Sequence, residues 1–155
     1  MNECERRDQA WPLFLKTHSA LVEILESELQ AAADLPLTWF EVLLQLQDAG
    51  DGRRRMNDLA DSLLLSKSGI TRLIDRMSRA GFIERKPCDS DRRVVYAAIT
   101  RKGRNAYKKA APVAFRGIER HFTRVLGDAE LRTFRATLEK LLDDAGADPA
   151  ARAAV

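Results

Sequence analysis

NDLADSLLLSKSGITRLIDRMSRAGFIERKPCDSDRRVVYAAIT, Asn57 to Thr100, is the stretch whose reading decides the fold. Asn57 can cap a short helix carrying Leu59, Ala60 and Leu63, and Leu64 and Leu65 fill a turn. Ser66 then caps a second helix whose buried positions, Ile70, Leu73, Ile74 and Met77, follow the spacing of an amphipathic helix. Gly81 supplies its left-handed stop. Subtracting the apolar face leaves Lys67, Ser68, Thr71, Arg72, Asp75, Arg76 and Arg79 outward. Phe82 to Lys86 and Val94 to Ile99 read as two strands joined by Pro87 to Arg93, a hairpin wing directly after an Arg-bearing helix. Helix and wing together are what a protein presents to a DNA duplex.

Upstream, Trp11, Phe14, His18, Leu21, Val22, Leu25 and Leu29 recur at helical spacing, and Leu13, Leu15 and Ile24 widen the apolar face. A helix apolar over so much of its circumference needs burial on more than one side, which predicts a two-fold dimer. Asp34-Leu-Pro36 ends this helix; Thr38 and Glu41 form a capping box for the next, which Gly50 ends. Asp51 to Arg55 reads as a basic polar loop. Downstream, Thr100 caps a helix in which Pro112 predicts a kink or break. Asp128 caps a last helix with Leu131, Phe134, Leu138, Leu141 and Leu142 inward.

At 155 residues one compact domain is expected. The net charge of +3 is unevenly spread: Asp51 to Lys109 holds 16 Lys/Arg against 7 Asp/Glu, net +9, so the remainder nets −6. A basic middle between acidic ends suits a phosphate-binding module on a separate scaffold. No apolar run approaches the roughly 20 residues of a membrane span, and the charged N-terminus is unlike a signal peptide, so a cytoplasmic protein with no membrane partner is expected. Cys4 and Cys88 stand at no metal-ligand spacing and, with only His18 and His121 besides, offer no metal or catalytic set. Neither an enzyme nor a cofactor is expected.

The stretch Ser66 to Arg85, containing Thr-Arg-x-x-Asp-Arg and Gly-aliphatic-aliphatic-x-Arg, resembles the core of the MarR (multiple antibiotic resistance regulator) family of winged-helix transcription factors. Asp91-Arg92-Arg93 and Thr100-Arg-Lys-Gly103 are similar to that family's wing motif and strand-to-helix junction. The fold class expected is mainly α: a winged helix-turn-helix of about six helices plus a two-stranded β-hairpin wing, with N- and C-terminal helices forming a dimerisation lobe. The expected boundaries are 37–100 for the DNA-binding lobe, 9–33 and 104–145 for the dimerisation helices and 146–155 for a disordered tail, within a single chain 1–155. The resemblance implies a homodimer that sets its recognition helices in successive major grooves of a pseudo-palindromic operator, as a ligand-responsive repressor.

On that reading Ser66, Lys67, Ser68, Thr71 and Arg72 contact base edges and adjacent phosphates, and Arg76 contacts backbone or base. Ser66 has a capping duty that would account for it alone. Asp75 would repel phosphate if free and so orients a neighbouring Arg of the wing or helix. The family's wing motif places Arg93 in the minor groove, held by Asp91, with Arg92 on a phosphate. The basic runs Arg53-Arg54-Arg55 and Arg101, Lys102, Arg104 either touch flanking phosphates or face solvent.

A small anionic or phenolic effector is a further expectation from the family, with Trp11, His18, Trp39 and Phe40 as candidate lining; the competing reading is that these four simply pack. Two other functions are in play. One is a winged-helix module that binds protein, which the scarcity of exposed aromatic anchors on the helix disfavours. The other is a cysteine-based redox regulator using Cys4 or Cys88.

Overall fold

A computed structural model describes residues 3–63, 65–87 and 94–147. Its elements are α1 (Glu3–Ala33), α2 (Leu37–Asp48), β1 (Arg53–Arg55), α3 (Met56–Ser62), α4 (Lys67–Arg79), β2 (Ile83–Pro87), β3 (Val95–Ile99), α5 (Arg101–Ile118), a π-helical turn (Glu119–Thr123) and α6 (Asp128–Ala147). The chain divides into two compact units, one ending at Gly117 and the other beginning at Ile118.

In the first unit the core is built by the faces that the helical spacing selects. Ile70, Leu73, Ile74 and Met77 of α4 are all buried, and they join Leu59 and Ala60 of α3, Phe40, Val42, Leu43 and Leu46 of α2, and Leu29 of α1. Burying a side chain of this size is worth about 1.5–3 kcal/mol. Among the described residues no polar or charged side chain is buried. Most of the α1 stripe lies outside this core: Trp11 and Leu13 are 66% and 64% exposed, and only Leu29 is fully covered.

Several helix starts differ from the expectations. The first residue of α2 is Leu37, with Pro36 at the cap position in extended conformation and no side-chain cap, so Thr38 lies inside the first turn and makes no capping box. The cap comes from another helix: Glu26 of α1 accepts a 2.6 Å hydrogen bond from the Leu37 backbone N–H, placing a carboxylate at the positive pole of α2. The following loop uses Gly52, at φ +71, as its left-handed residue rather than Gly50. Arg55 ends β1 and occupies the cap position of α3 in extended conformation with no side-chain cap, so Asn57 lies within the helix. In the second unit the Gly127 carbonyl accepts the Leu131 N–H, and the Glu130 carboxylate accepts the Gly127 N–H at 2.8 Å. Asp128 therefore begins α6 instead of capping it.

Asp51 to Arg55 is not simply a loop. Arg53, Arg54 and Arg55 pair antiparallel with Ala98, Ala97 and Tyr96, adding a third strand to the hairpin in the order β1-β3-β2. The run has no apolar alternation; its pairing is carried by backbone hydrogen bonds, and the Arg54 Nε–H anchors it by donating to the Gln45 carbonyl at 2.8 Å. Helix α5 continues unbroken through Pro112. Both Pro112 and Lys108, whose carbonyl loses its partner, are exposed, so water can satisfy that oxygen. On α6, Leu131 and Leu138 are half-buried, whereas Phe134, Leu141 and Leu142 are exposed on the single chain.

Glu41 is half-buried on α2, and burial, reinforced by the nearby Glu26 charge and opposed by His18, pushes its carboxyl pKa above the ordinary 4.5. A carboxyl with a raised folded-state pKa binds its proton more tightly folded than unfolded, so its contribution to stability falls as pH rises from 4.5 through that raised value. Glu41→Gln is therefore expected to unfold at a higher temperature than the wild type at pH 7. The advantage should vanish below 4.5. Thermal melts at both pH values check the sign, and a wild type more stable than the variant at pH 7 would refute it.

Candidate nucleic-acid interface

Helix α4 begins as its sequence requires. The Ser66 hydroxyl accepts the Gly69 N–H at 3.0 Å and lies 3.2 Å from the Ser68 hydroxyl, while Thr71 Oγ1 donates to the Lys67 carbonyl at 2.8 Å. With its apolar face sealed in the core, Lys67, Ser68, Thr71, Arg72, Arg76 and Arg79 are all exposed. The positive pole at the helix start lies beside the Ser66 and Ser68 hydroxyls and the exposed Lys67, an arrangement suited to phosphate oxygens. Arg72, Asp75, Arg76 and Arg79 line a shallow cleft on the outer face. A row of guanidinium groups at steps of three and four can read guanine edges bidentately or neutralise phosphates.

Asp75 is ion-paired with Arg85 of β2 at 2.8 Å, and the same Arg85 Nη2 lies 3.4 Å from the Thr71 carbonyl. The one carboxylate on this face is thus engaged by the wing, and Arg85 ties the base of the wing to the middle of α4. Sequence reasoning assigned Arg85 no role; it could have been found as the one charged residue of a strand that points back toward the helix. Arg85 also borders a second cleft with Arg55, Asn57, Asp58, Thr71, Val94 and Val95.

Because both members of the Asp75–Arg85 pair are more than a third exposed, the pair is worth well under about 1 kcal/mol of stability. Its effect on geometry is separate. Asp75→Asn is expected to shift the thermal midpoint by no more than about 2–4 °C, the size of a 1 kcal/mol change in a chain of this length. It should lower the preference for specific over unrelated duplex several-fold. A variant with unaltered preference would leave Asp75 without a positioning role.

The basic runs divide by contact. Arg54 is committed to Gln45, Arg53 pairs with Asp51 at 2.7 Å and stacks over the Tyr96 ring at 5.1 Å, and Arg55 donates to the Tyr96 hydroxyl at 3.3 Å. Hydrogen bonds from Arg53 hold the Asp51 carboxyl below its usual range. After the wing, Lys102 reaches the Ala80 carbonyl at 2.7 Å, and the Arg104 guanidinium lies against the backbone of Gly52.

The four effector candidates have different surroundings. Trp11 is exposed and stacks on Phe14, and His18 is exposed on α1, close enough for its charge to act on Glu41. Trp39 meets Phe82 edge-on at 5.3 Å. Phe40, 2% exposed, is a core residue between Tyr107 and Phe115. Asp91, Arg92, Arg93, Cys88, Leu64 and the tail from 148 lie outside the described residues, as does the side chain of Cys4. Among the described residues no His/Cys/Asp/Glu group could hold a metal, and no helix is long and apolar enough to cross a membrane.

Comparison with known proteins bears on this face. The sequence profile of the MarR family matches residues 33–94. AbsC of Streptomyces coelicolor, a MarR family transcriptional regulator, is 30% identical, with 96% of this chain and 98% of that chain covered and a TM-score of 0.87. Sco3205 of the same organism, a MarR family regulator solved in complex with DNA, shares the fold at a TM-score of 0.86 and 20% identity over 90% of this chain and 88% of that one. The transcriptional repressor MprA of Escherichia coli (strain K12) is 29% identical over 75 residues, 48% of this chain and 43% of that protein. The chain spans about half the length of the curated relatives it matches.

Proposed function

Since the chain belongs to the MarR family of transcriptional regulators, we propose that it binds double-stranded DNA sequence-specifically as a homodimer and represses from a pseudo-palindromic operator. The observation that carries this reading is the outer face of α4, where Lys67, Ser68, Thr71, Arg72 and Arg76 all face solvent while every apolar residue of the helix is sealed inside. A helix that presents five polar and cationic side chains to solvent on one face has the form of a major-groove reader. Ser66, Lys67 and Ser68 take adjacent phosphates at the helix start, and Thr71, Arg72 and Arg76 take base edges or backbone. Asp75 is the orienting carboxylate. Arg93, held by Asp91, and Arg92 complete the contact from the wing, on the strength of the family motif alone. The exposed apolar residues of α1 and of α6, among them Trp11, Leu13, Leu141 and Leu142, are the surfaces that a second copy would cover. Repression, and release by a small anionic or phenolic effector, are the finer parts of the reading; the repressor name of MprA supports the first.

The test is a mobility shift with the duplex upstream of the protein's own gene against an unrelated duplex. Retention is expected at two chains per site, with affinity falling at least about a hundredfold between 50 and 200 mM salt as phosphate-bound counterions are released. Equal retention of both duplexes would reduce the protein to a non-specific binder, and no retention would overturn the reading.

A further inference from the structure

The first turn of α5 grips the turn that ends α4. Thr100 Oγ1 lies 2.7 Å from the Gly81 carbonyl and 3.0 Å from that of Phe82, and the Thr100 N–H donates to the same Phe82 oxygen at 3.1 Å. The hydroxyl also accepts the Gly103 N–H at 3.1 Å, so one side chain both caps α5 and holds the neighbouring turn. Lys102 completes the grip. Its Nζ donates to the Ala80 carbonyl at 2.7 Å and stands 4.6 Å from the centre of the Phe82 ring. A cation at the carbonyl end of a helix also meets the negative pole of the helix dipole. Phe82 also meets Trp39 of α2 in an edge-on contact.

We propose that Lys102, with Thr100, is a positioning residue that clamps the Ala80–Gly81–Phe82 turn and so fixes the recognition helix and the wing together against DNA, instead of contacting phosphate itself. The location gives the clamp its leverage. That turn is where α4 ends and β2 begins, so a displacement of the start of α5 moves both DNA-facing elements at once. From sequence, Lys102 is one of three cations in a run beside the wing, and a phosphate role is the natural assumption. In the structure its ammonium donates to a carbonyl and lies over a ring, both within its own chain.

The inference rests on α4 being the DNA-reading helix, and the wild-type chain tests that premise by itself: no preference for its upstream duplex over unrelated duplex would remove the premise before any variant is made. With preference established, Lys102→Met and Lys102→Arg are compared by mobility shift at several salt concentrations. Loss of this exposed charge-assisted hydrogen bond predicts a several-fold fall in preference for Lys102→Met. The slope of log affinity against log salt should stay at the wild-type value, and Lys102→Arg, which keeps a cation and donors, should recover most of the preference. A phosphate contact gives the opposite pattern, affinity for both duplexes falling alike and the salt slope dropping by about one per contact, and would overturn the proposal. A Lys102→Met protein indistinguishable from wild type would overturn it equally.

Discussion

Replacing Arg72 and Arg76 together by alanine is expected to abolish selective retention of the upstream duplex without altering the fold. Each bidentate arginine–guanine pair contributes about 1–3 kcal/mol of discrimination. On the proposed dimer, two such pairs on each α4 repeated across two half-sites would lower specific affinity by at least about a hundredfold even with effects far from additive. Both side chains are exposed, one turn apart on the outer face of α4, with their apolar neighbours Leu73, Ile74 and Met77 sealed in the core. Exposed side chains of this kind usually change stability by less than about 0.5 kcal/mol, so the melting curve should barely move. Arg54→Ala is the matched control. It removes the same chemistry from a guanidinium that bonds the Gln45 carbonyl, and it should cost stability while leaving DNA preference intact. Titration of both proteins with the specific and the unrelated duplex decides the matter: a double variant that keeps its preference would move the reading surface off this helix.

How much of this was legible beforehand depended on whether a feature was written into local pattern or only into partnership. The buried row of α4, its serine cap and its Gly81 stop follow from spacing and residue type, and each is present in the structure. The Thr100 cap of α5 is equally local. What escaped was non-local. Nothing about Glu26 marks it as the cap of a helix eleven residues away, because the contact needs α1 and α2 already packed together. Strand β1 consists of three arginines, a run that no alternation rule selects, and it exists because β3 offers it a hydrogen-bonding edge. The same applies within the site. Arg85 and Lys102 looked like two more cations in a basic segment, and only the fold shows that Arg85 answers Asp75 and Lys102 answers the Ala80 carbonyl. The charge map therefore picks out a basic region while leaving open which of its cations are engaged by neighbouring groups of the same chain.

Gly103→Ala is expected to be the most damaging single substitution, and its sign separates packing from propensity. Alanine is the better helix former by about 0.8–1 kcal/mol, so on propensity alone this change within the first turn of α5 stabilises. Packing says the reverse. A Cβ at this position would collide with the Phe82 backbone carbonyl and come within 2.9 Å of Ile99 and 3.2 Å of Leu43. The Phe82 oxygen cannot simply withdraw, because it accepts from the Thr100 N–H at 3.1 Å and lies 3.0 Å from the Thr100 hydroxyl, and Leu43 and Ile99 belong to the core. Overpacking against side chains costs about 1–3 kcal/mol, and a clash with anchored backbone belongs at or above the top of that range. At roughly 2–4 °C per kcal/mol, the midpoint should fall by about 6–12 °C. The same collision pushes on the turn joining α4 to β2, so any folded fraction should also bind its specific duplex less selectively. A melt in which Gly103→Ala matches or exceeds the wild type would mean that α5 stands further from that turn than the structure places it.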